Sequence, residues 1–322
     1  MEPFWNFIDP PDDSLFYKRS EIGDKRFGEI VGSKRETFDD RWKVVILGFP
    51  YDEGAARNRG RAGASLAPTE IRKAFYKLTT TKDIALADVE LPIFDAGNVK
   101  SSLKLEEALK LLQEAVAEIL KAGRIPVVLG GSNDLSYADF HACHDVFGRC
   151  GAINIDSHLD VRDYSRGINS GTPYRMLLDE KILRGKDFVE YGTQDFSNSR
   201  EHLAFIKDNG ATIFSLADIH SRSGPVPFEE VYNVAGESSS HVYVSFDMDA
   251  VRSPDAPGVS APTPTGLSAE ELLACSFSAG AETRTAMIDI CEVNPTFDID
   301  GRTAKLAAMV AANFIAGVSN RK

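Results

Sequence analysis

Eight short, nearly unbroken apolar runs punctuate the chain: KVVILGF, IFDAG, IPVVLGG, GAINID, FVEYGTQ, ATIFSL, VYVSFDMD and AMIDICEV. Runs of Val, Ile, Leu and Phe without polar alternation read as strands buried on both faces, as in parallel sheets. Between them lie stretches of helical periodicity. In SLKLEEALKLLQEAVAEILKAG, Leu105, Ala108, Leu109, Leu112, Val116, Ile119 and Leu120 recur at helical spacing, and Gly123 can cap the end. APTEIRKAFYKL, NSREHLAFIKDNG, SAEELLACSF and TAKLAAMVAANFIAG read alike. This alternation predicts an α/β fold: a three-layer single domain around a mainly parallel sheet of about eight strands. The length, 322 residues, suits one large domain of this kind. Residues 1–40 read as an irregular, charged extension, and residues 41–322 as the domain itself.

Charge narrows the partners. A net charge of -12 leaves no basic excess to neutralise phosphates, so no nucleic acid is expected. A small anionic substrate is compatible, because a few arginines can reverse the field locally in a cleft. No apolar stretch approaches the roughly 20 residues of a membrane helix. The opening MEPFWNFIDPPDDS has neither the basic n-region nor the apolar core of a signal peptide. A cytoplasmic location is expected, with Cys143, Cys150, Cys275 and Cys291 reduced. The segment HACHDVFGRC holds His141, Cys143, His144 and Cys150, residue types that bind zinc. As a helix, however, it puts His141 and His144 on one face and leaves Cys143 off it, so a plain surface helix is expected. The Gly130–Gly131 turn lacks the G-x-G-x-x-G of a dinucleotide site.

The chemistry gathers where the apolar runs end. Ligands of open α/β sheets bind at the carboxyl ends of the strands. VVLGG leads into Ser132, Asn133 and Asp134; INID into Asp156, His158 and Asp160; VYVSFDMD into Asp247 and Asp249; MIDICEVN into Glu292 and Asn294. Asp156, His158 and Asp160 alternate, so an extended chain places all three on one face. Four carboxylates and an imidazole in one cleft would repel one another unless cations sat among them. An oxygen-rich set with one imidazole suits manganese, and four carboxylates exceed the need of a single ion. Two ions with shared carboxylates are expected.

The blocks GGSND, DSHLD, SFDMDAVRSPDAPGVSAPTPTG and EVNPTFDIDGRTAKLAA, with GFPYDEGAARNRGRAGASLAPTEIRKAF before them, resemble those of the arginase/agmatinase ureohydrolase superfamily. The resemblance runs from about Val44 onward, in order. It implies an arginase-like fold and a dimanganese hydrolase of guanidino or amidino groups. Asp156, Asp160 and Asp247 would lie at the first ion, and Asp156, His158, Asp247 and Asp249 at the second, with Asp156 and Asp247 bridging. Where the common family pattern carries a histidine ligand of the first ion, this chain has Asn133. Its carbonyl oxygen is a weaker donor, so the first ion is expected to be the less tightly held. The resemblance further implies that Glu292 orients the amidine and that Asp160 handles the proton.

SGTPYR and YGTQDFSNSREHLAFI are similar to the formiminoglutamase branch of the superfamily. Arg162 stands where arginase-like sequences hold the substrate carboxylate with asparagine, and an arginine there is a fork-shaped carboxylate clamp. Ser170 occupies the neighbourhood of the histidine that shuttles protons in arginases. Arg57, Arg61 and Arg175 are further candidates for binding a dianionic substrate, each with a surface salt bridge as its alternative. The expected reaction is hydrolysis of N-formimino-L-glutamate to L-glutamate and formamide. The alternatives are another guanidino or amidino hydrolase, or a metal-poor pseudoenzyme subunit. Assembly into a homo-oligomer is left open.

Overall fold

The computed structural model describes residues 5–80, 92–221 and 228–321. All eight apolar runs form strands: β2 (Val44–Gly48), β3 (Ile93–Val99), β4 (Ile125–Leu129), β5 (Gly151–Ile155), β6 (Phe188–Thr193), β7 (Thr212–Ser215), β8 (Val242–Asp247) and β9 (Thr285–Cys291). A ninth, β1 (Ile8–Asp9), comes from the stretch expected to be irregular. Two residues are too few to carry a periodicity, so the sequence gives no sign of it. The sheet order is β1-β3-β2-β4-β9-β8-β5-β6-β7. Every pairing is parallel except that of β1, which runs antiparallel to β3 at the edge. At Gly97, in the left-handed region at φ 100°, β3 passes so close to the Asp9 carbonyl that a side chain could not fit.

Successive strand residues point to opposite faces and feed two separate cores. Val44, Ile46, Val127, Ile153, Val244 and Ile288 pack with helices Ala67–Phe75, Phe228–Ala235, Ala269–Ala281 and Arg302–Ser319. Val45, Leu47, Val128, Ala152, Tyr243 and Met287 pack with helices Leu105–Lys121, Leu135–Phe147, Pro173–Asp179 and Arg200–Asp208. The seven apolar positions read from SLKLEEALKLLQEAVAEILKAG are all buried along helix Leu105–Lys121. Full burial of a Leu- or Ile-sized side chain contributes about 1.5–3 kcal/mol, so this face anchors the helix. Within Leu135–Phe147, Cys143 is buried while His141 lies against the Glu180 carboxylate at 3.1 Å. The zinc-type residues are thus split between core and surface, as the helical reading predicts. No helix among the described residues is long and apolar enough to cross a membrane.

What the topology does for chemistry is bring β4, β9, β8 and β5 side by side in the middle of the sheet. All four run parallel, so their carboxyl ends open on the same side. The polar segments after VVLGG, MIDICEVN, VYVSFDMD and INID therefore meet at one place.

Candidate active site

Backbone turns at the strand ends aim the side chains. Asp156 follows β5, and its N–H still bonds the Tyr191 carbonyl at 3.0 Å. Its Oδ1 accepts the His158 N–H at 2.7 Å, folding the chain back on itself. Asp247 ends β8 and accepts the Asp249 N–H at 2.8 Å in the same manner. Asp160 and Glu292 both take left-handed backbone conformations, at φ 45° and 62°. A non-glycine residue there costs on the order of 1 kcal/mol, and such strain concentrates at functional sites.

Two groups of three side chains result. Asp156, Asp160 and Asp247 bring carboxylate oxygens within 4.8 Å of one another, as do ligand atoms of Asp156, His158 and Asp249. Asp156 belongs to both. His158 Nδ1 lies 3.2 Å from Asp249 and 3.4 Å from Asp156. Ser157, whose place in DSHLD carried no expectation, donates to Asp249 Oδ1 at 2.8 Å. Asn133 donates from its backbone to Glu292 Oε1 at 2.8 Å and from its side-chain amide to Asp160 Oδ2 at 2.6 Å. Its amide oxygen accepts from the Ser136 hydroxyl.

The electrostatics follow from crowding. Burial, then the Asp249 charge, pushes the Asp156 carboxyl up to about 6. Burial and Asp156 raise Asp160 well above the carboxylate range. Burial and Asp249 do the same to Asp247. Glu292 is pushed up to about 8, chiefly by burial. Burial would raise Asp249 too, but the facing His158 outweighs it and holds Asp249 low. The Asp249 charge in turn raises His158 far above its ordinary value. One imidazole cannot balance four carboxylates, and Glu292 Oε2 is buried with no hydrogen-bond partner among the described residues. A self-contained cluster would not leave this debt of negative charge. Oxygen donors of this number and spacing fit divalent cations, with Asp156 available to two of them.

The cluster opens into a cavity of about 240 Å³ whose walls include His158, Asp160, Asp247, Asp249 and Glu292. Arg162 and Ser170 line it, Ser170 accepting from Asn58 Nδ2 at 3.1 Å. The other three arginines expected here are engaged elsewhere. Arg57 pairs with Glu53 at 2.8 Å and Glu106 at 2.5 Å and bonds the Ile168 carbonyl. Arg61 donates to the Ser260 and Val259 carbonyls and lies over the Phe297 ring at 4.1 Å. Arg175 pairs with Asp179, one helical turn on, at 2.8 Å and stacks on Phe205 at 4.0 Å. Each finds a carboxylate or carbonyl near its own backbone, which the sequence alone could not rank. Arg59 lines the cavity instead, and the sequence reading missed it. Its signal lay in RNRGR, three arginines at alternate positions, where only tertiary contacts decide which stays free.

A three-layer sheet with a carboxylate-lined cleft at its central strand ends is the architecture of a metal-type hydrolase. The chain belongs to the arginase family: residues 42–317 match the model of that family. Its relatives narrow the likeness. The formimidoylglutamase of Geobacillus thermodenitrificans is 34% identical over 269 residues, covering 82% of this chain and 81% of the relative. That of Hahella chejuensis is 31% identical over 279 residues, covering 84% and 83%. Among solved structures, Trypanosoma cruzi formiminoglutamase with Mn2+ superposes with a TM-score of 0.85 at 34% identity, over 93% of this chain and 100% of that one. An Asn-to-His variant of the same protein, also with Mn2+, has a TM-score of 0.85 at 34% identity over 93% and 99%. Bacillus subtilis formimidoylglutamase has a TM-score of 0.86 at 27% identity over 95% of each chain. The chain is a formimidoylglutamase-like hydrolase of arginase fold.

Proposed function

We propose that this protein hydrolyses N-formimino-L-glutamate to L-glutamate and formamide at a pair of Mn2+ ions. The observation that carries the reading is one cavity holding both a shared-carboxylate cluster and an arginine free to clamp a carboxylate. The relatives supply the chemistry to which that pairing is best suited. Asp156, Asp160 and Asp247 would hold one ion, with Asn133 beside it, and Asp156, His158, Asp247 and Asp249 the other. Bound there, the ions lower the pKa of water so that it attacks at neutral pH.

The chain's own groups do the rest. Arg162 takes a substrate carboxylate in a charge-assisted fork. The free Oε2 of Glu292 accepts from the amidinium nitrogens and fixes the amidine carbon in place, while its other oxygen is held by the Asn133 N–H. Asp160, held at one oxygen by the Asn133 amide, receives the proton that the attacking water sheds and returns it to the departing nitrogen. The water oxygen joins the amidine carbon, the bond from that carbon to the glutamate nitrogen breaks, and glutamate leaves as the amine. Residues 41–322 form the catalytic domain in this reading, with residues 1–40 as an N-terminal extension.

The test is an assay of metal-stripped protein, with and without added Mn2+, against N-formimino-L-glutamate, arginine and agmatine. Formamide release restored by Mn2+ is expected. Urea release from arginine, with formiminoglutamate untouched, would replace this reading with an arginase-type one.

A further inference from the structure

The RNRGR turn carries three arginines, and the structure gives two of them structural work. Arg57 braces the near foot of the turn through Glu53, Glu106 and the Ile168 carbonyl. Arg61 braces the far foot through the Val259 and Ser260 carbonyls and Phe297. Asn294 reinforces that foot by donating to the carbonyls of Arg61 and Ala62 at 2.9 and 3.1 Å. Between the feet, Arg59 lies on the cavity wall with an exposed side chain, and no described residue forms a hydrogen bond or ion pair with its guanidinium. Its backbone is left-handed, at φ 65°. Glycine is the residue that suits this conformation, and a glycine stands next door at Gly60.

Arg162 approaches the same wall. A side chain on Gly171 would meet Arg162 Cδ at 2.6 Å, Arg162 Nε at 2.8 Å and Asn58 Nδ2 at 3.0 Å. The space that Gly171 leaves thus brings Arg162 alongside the turn that carries Arg59. Arg162, like Arg59, has no hydrogen bond or ion pair to its guanidinium within the described residues. Two unpaired guanidinium groups therefore share the mouth of a cavity whose floor is Asp160, Asp247, Asp249 and Glu292. A substrate with two carboxylates is complemented by two cations at the rim of its cavity.

We infer that Arg59 is a specificity-determining residue that binds the second carboxylate of a dicarboxylic amidine, Arg162 binding the first. The inference rests on the function proposed above and deepens it. Its test uses the Arg59→Gln, Arg59→Lys and Arg59→Gly enzymes loaded with Mn2+. The substrates are N-formimino-L-glutamate and its two half-amides, in which one or the other carboxylate is a carboxamide. Arg59→Gln should raise KM for the diacid roughly tenfold or more while kcat moves less than about twofold, as loss of one charge-assisted pair requires. Arg59→Lys should recover part of the loss, since it keeps the charge without the fork. On one half-amide the substitution should cost little, because that substrate already lacks the group Arg59 holds. Arg59→Gly should match Arg59→Gln in KM yet raise the melting temperature, since glycine relieves the left-handed backbone; a purely structural arginine would lower both stability and activity.

An unchanged KM in Arg59→Gln, or an equal loss on the diacid and both half-amides, overturns the inference. Direct titration with N-formyl-L-glutamate, an unreactive dianion, separates the two claims. A wild-type enzyme that binds it through Arg59 but cleaves none of the amidines refutes the proposed reaction and supports the carboxylate site. One that cleaves the diacid but binds the analogue equally with and without Arg59 does the reverse.

Discussion

Two of the places where the molecule buries charge, under β3 and at the ends of β5 and β8, are built on opposite rules. Beneath β3, Arg72 and Asp95 are both essentially inaccessible and meet in a fork, at 2.7 Å and 2.9 Å. Arg72 also donates to Asn98, the Gly97 carbonyl and the Pro68 carbonyl, and Asp95 accepts from the Tyr76 hydroxyl. Plus meets minus, and the donors on both sides find partners. At the strand ends, Asp156, Asp160, Asp247 and Asp249 face one imidazole, and Glu292 Oε2 has no hydrogen-bond partner among the described residues. The first arrangement is closed and fixes the fold. The second is open, and its missing positive charge is what the proposed pair of metal ions would supply.

If that contrast is right, breaking each cluster has opposite consequences for stability. Arg72→Met strands the Asp95 charge in the core and is expected to cost about 3–5 kcal/mol, read as a collapse in the denaturation midpoint. Asp247→Asn is expected to leave the metal-free fold as stable as wild type or more so, because it removes one of several repelling carboxylates. The same change should lower hydrolytic activity at least ~100-fold, about 2.7 kcal/mol of transition-state stabilisation, and reduce bound Mn2+ measured by elemental analysis.

A pH series sharpens the comparison further. Burial raises the folded-state carboxyls of Asp156 and Glu292 to about 6 and about 8. Groups raised in this way bind protons more tightly in the folded than in the unfolded chain. The metal-free protein should therefore lose stability as pH climbs from about 4 through about 8. Metal requires the ionised ligands, so the Mn2+-loaded protein should gain over the stripped one across that range. Calorimetry of both forms should show the gap in melting temperature widening with pH; a constant gap would mean that the Asp156 carboxyl is not a ligand. The smallest effect is expected at Arg175→Ala, whose surface pair with Asp179 is worth no more than about 1 kcal/mol. KM for the diacid should stay within about twofold of wild type.

The metal-type residues were legible because position and period coincide: Asp156, His158 and Asp160 alternate beyond an apolar run, and Asp247 and Asp249 repeat the pattern. Period alone would have failed at Asp289 and Glu190, acids of the neighbouring strands β9 and β6 that lie deeper in the sheet. Asp289 is bound by Ser245 at 2.8 Å and by Tyr243, and Glu190 accepts from Asn154 at 3.0 Å. The clue that separates them from the ligands is their place before the strand end. The arginines were not legible in this way. An arginine reaches far, and its partner is set by whichever carboxylate folding brings near: Glu106 for Arg57, Asp179 for Arg175. Strand β1 was not legible because two residues, only Ile8 of them buried, are too few to show a side-chain period.

The central claim is that the acid cluster is a two-ion centre held together by Asp156. Equilibrium dialysis against Mn2+, followed by metal analysis of wild type and Asp156→Asn, tests it most directly. Two ions per wild-type chain, the one beside Asn133 released first on dilution, and loss of both in the variant are predicted. A wild-type chain that retains no manganese, or a variant that retains both ions, would contradict it.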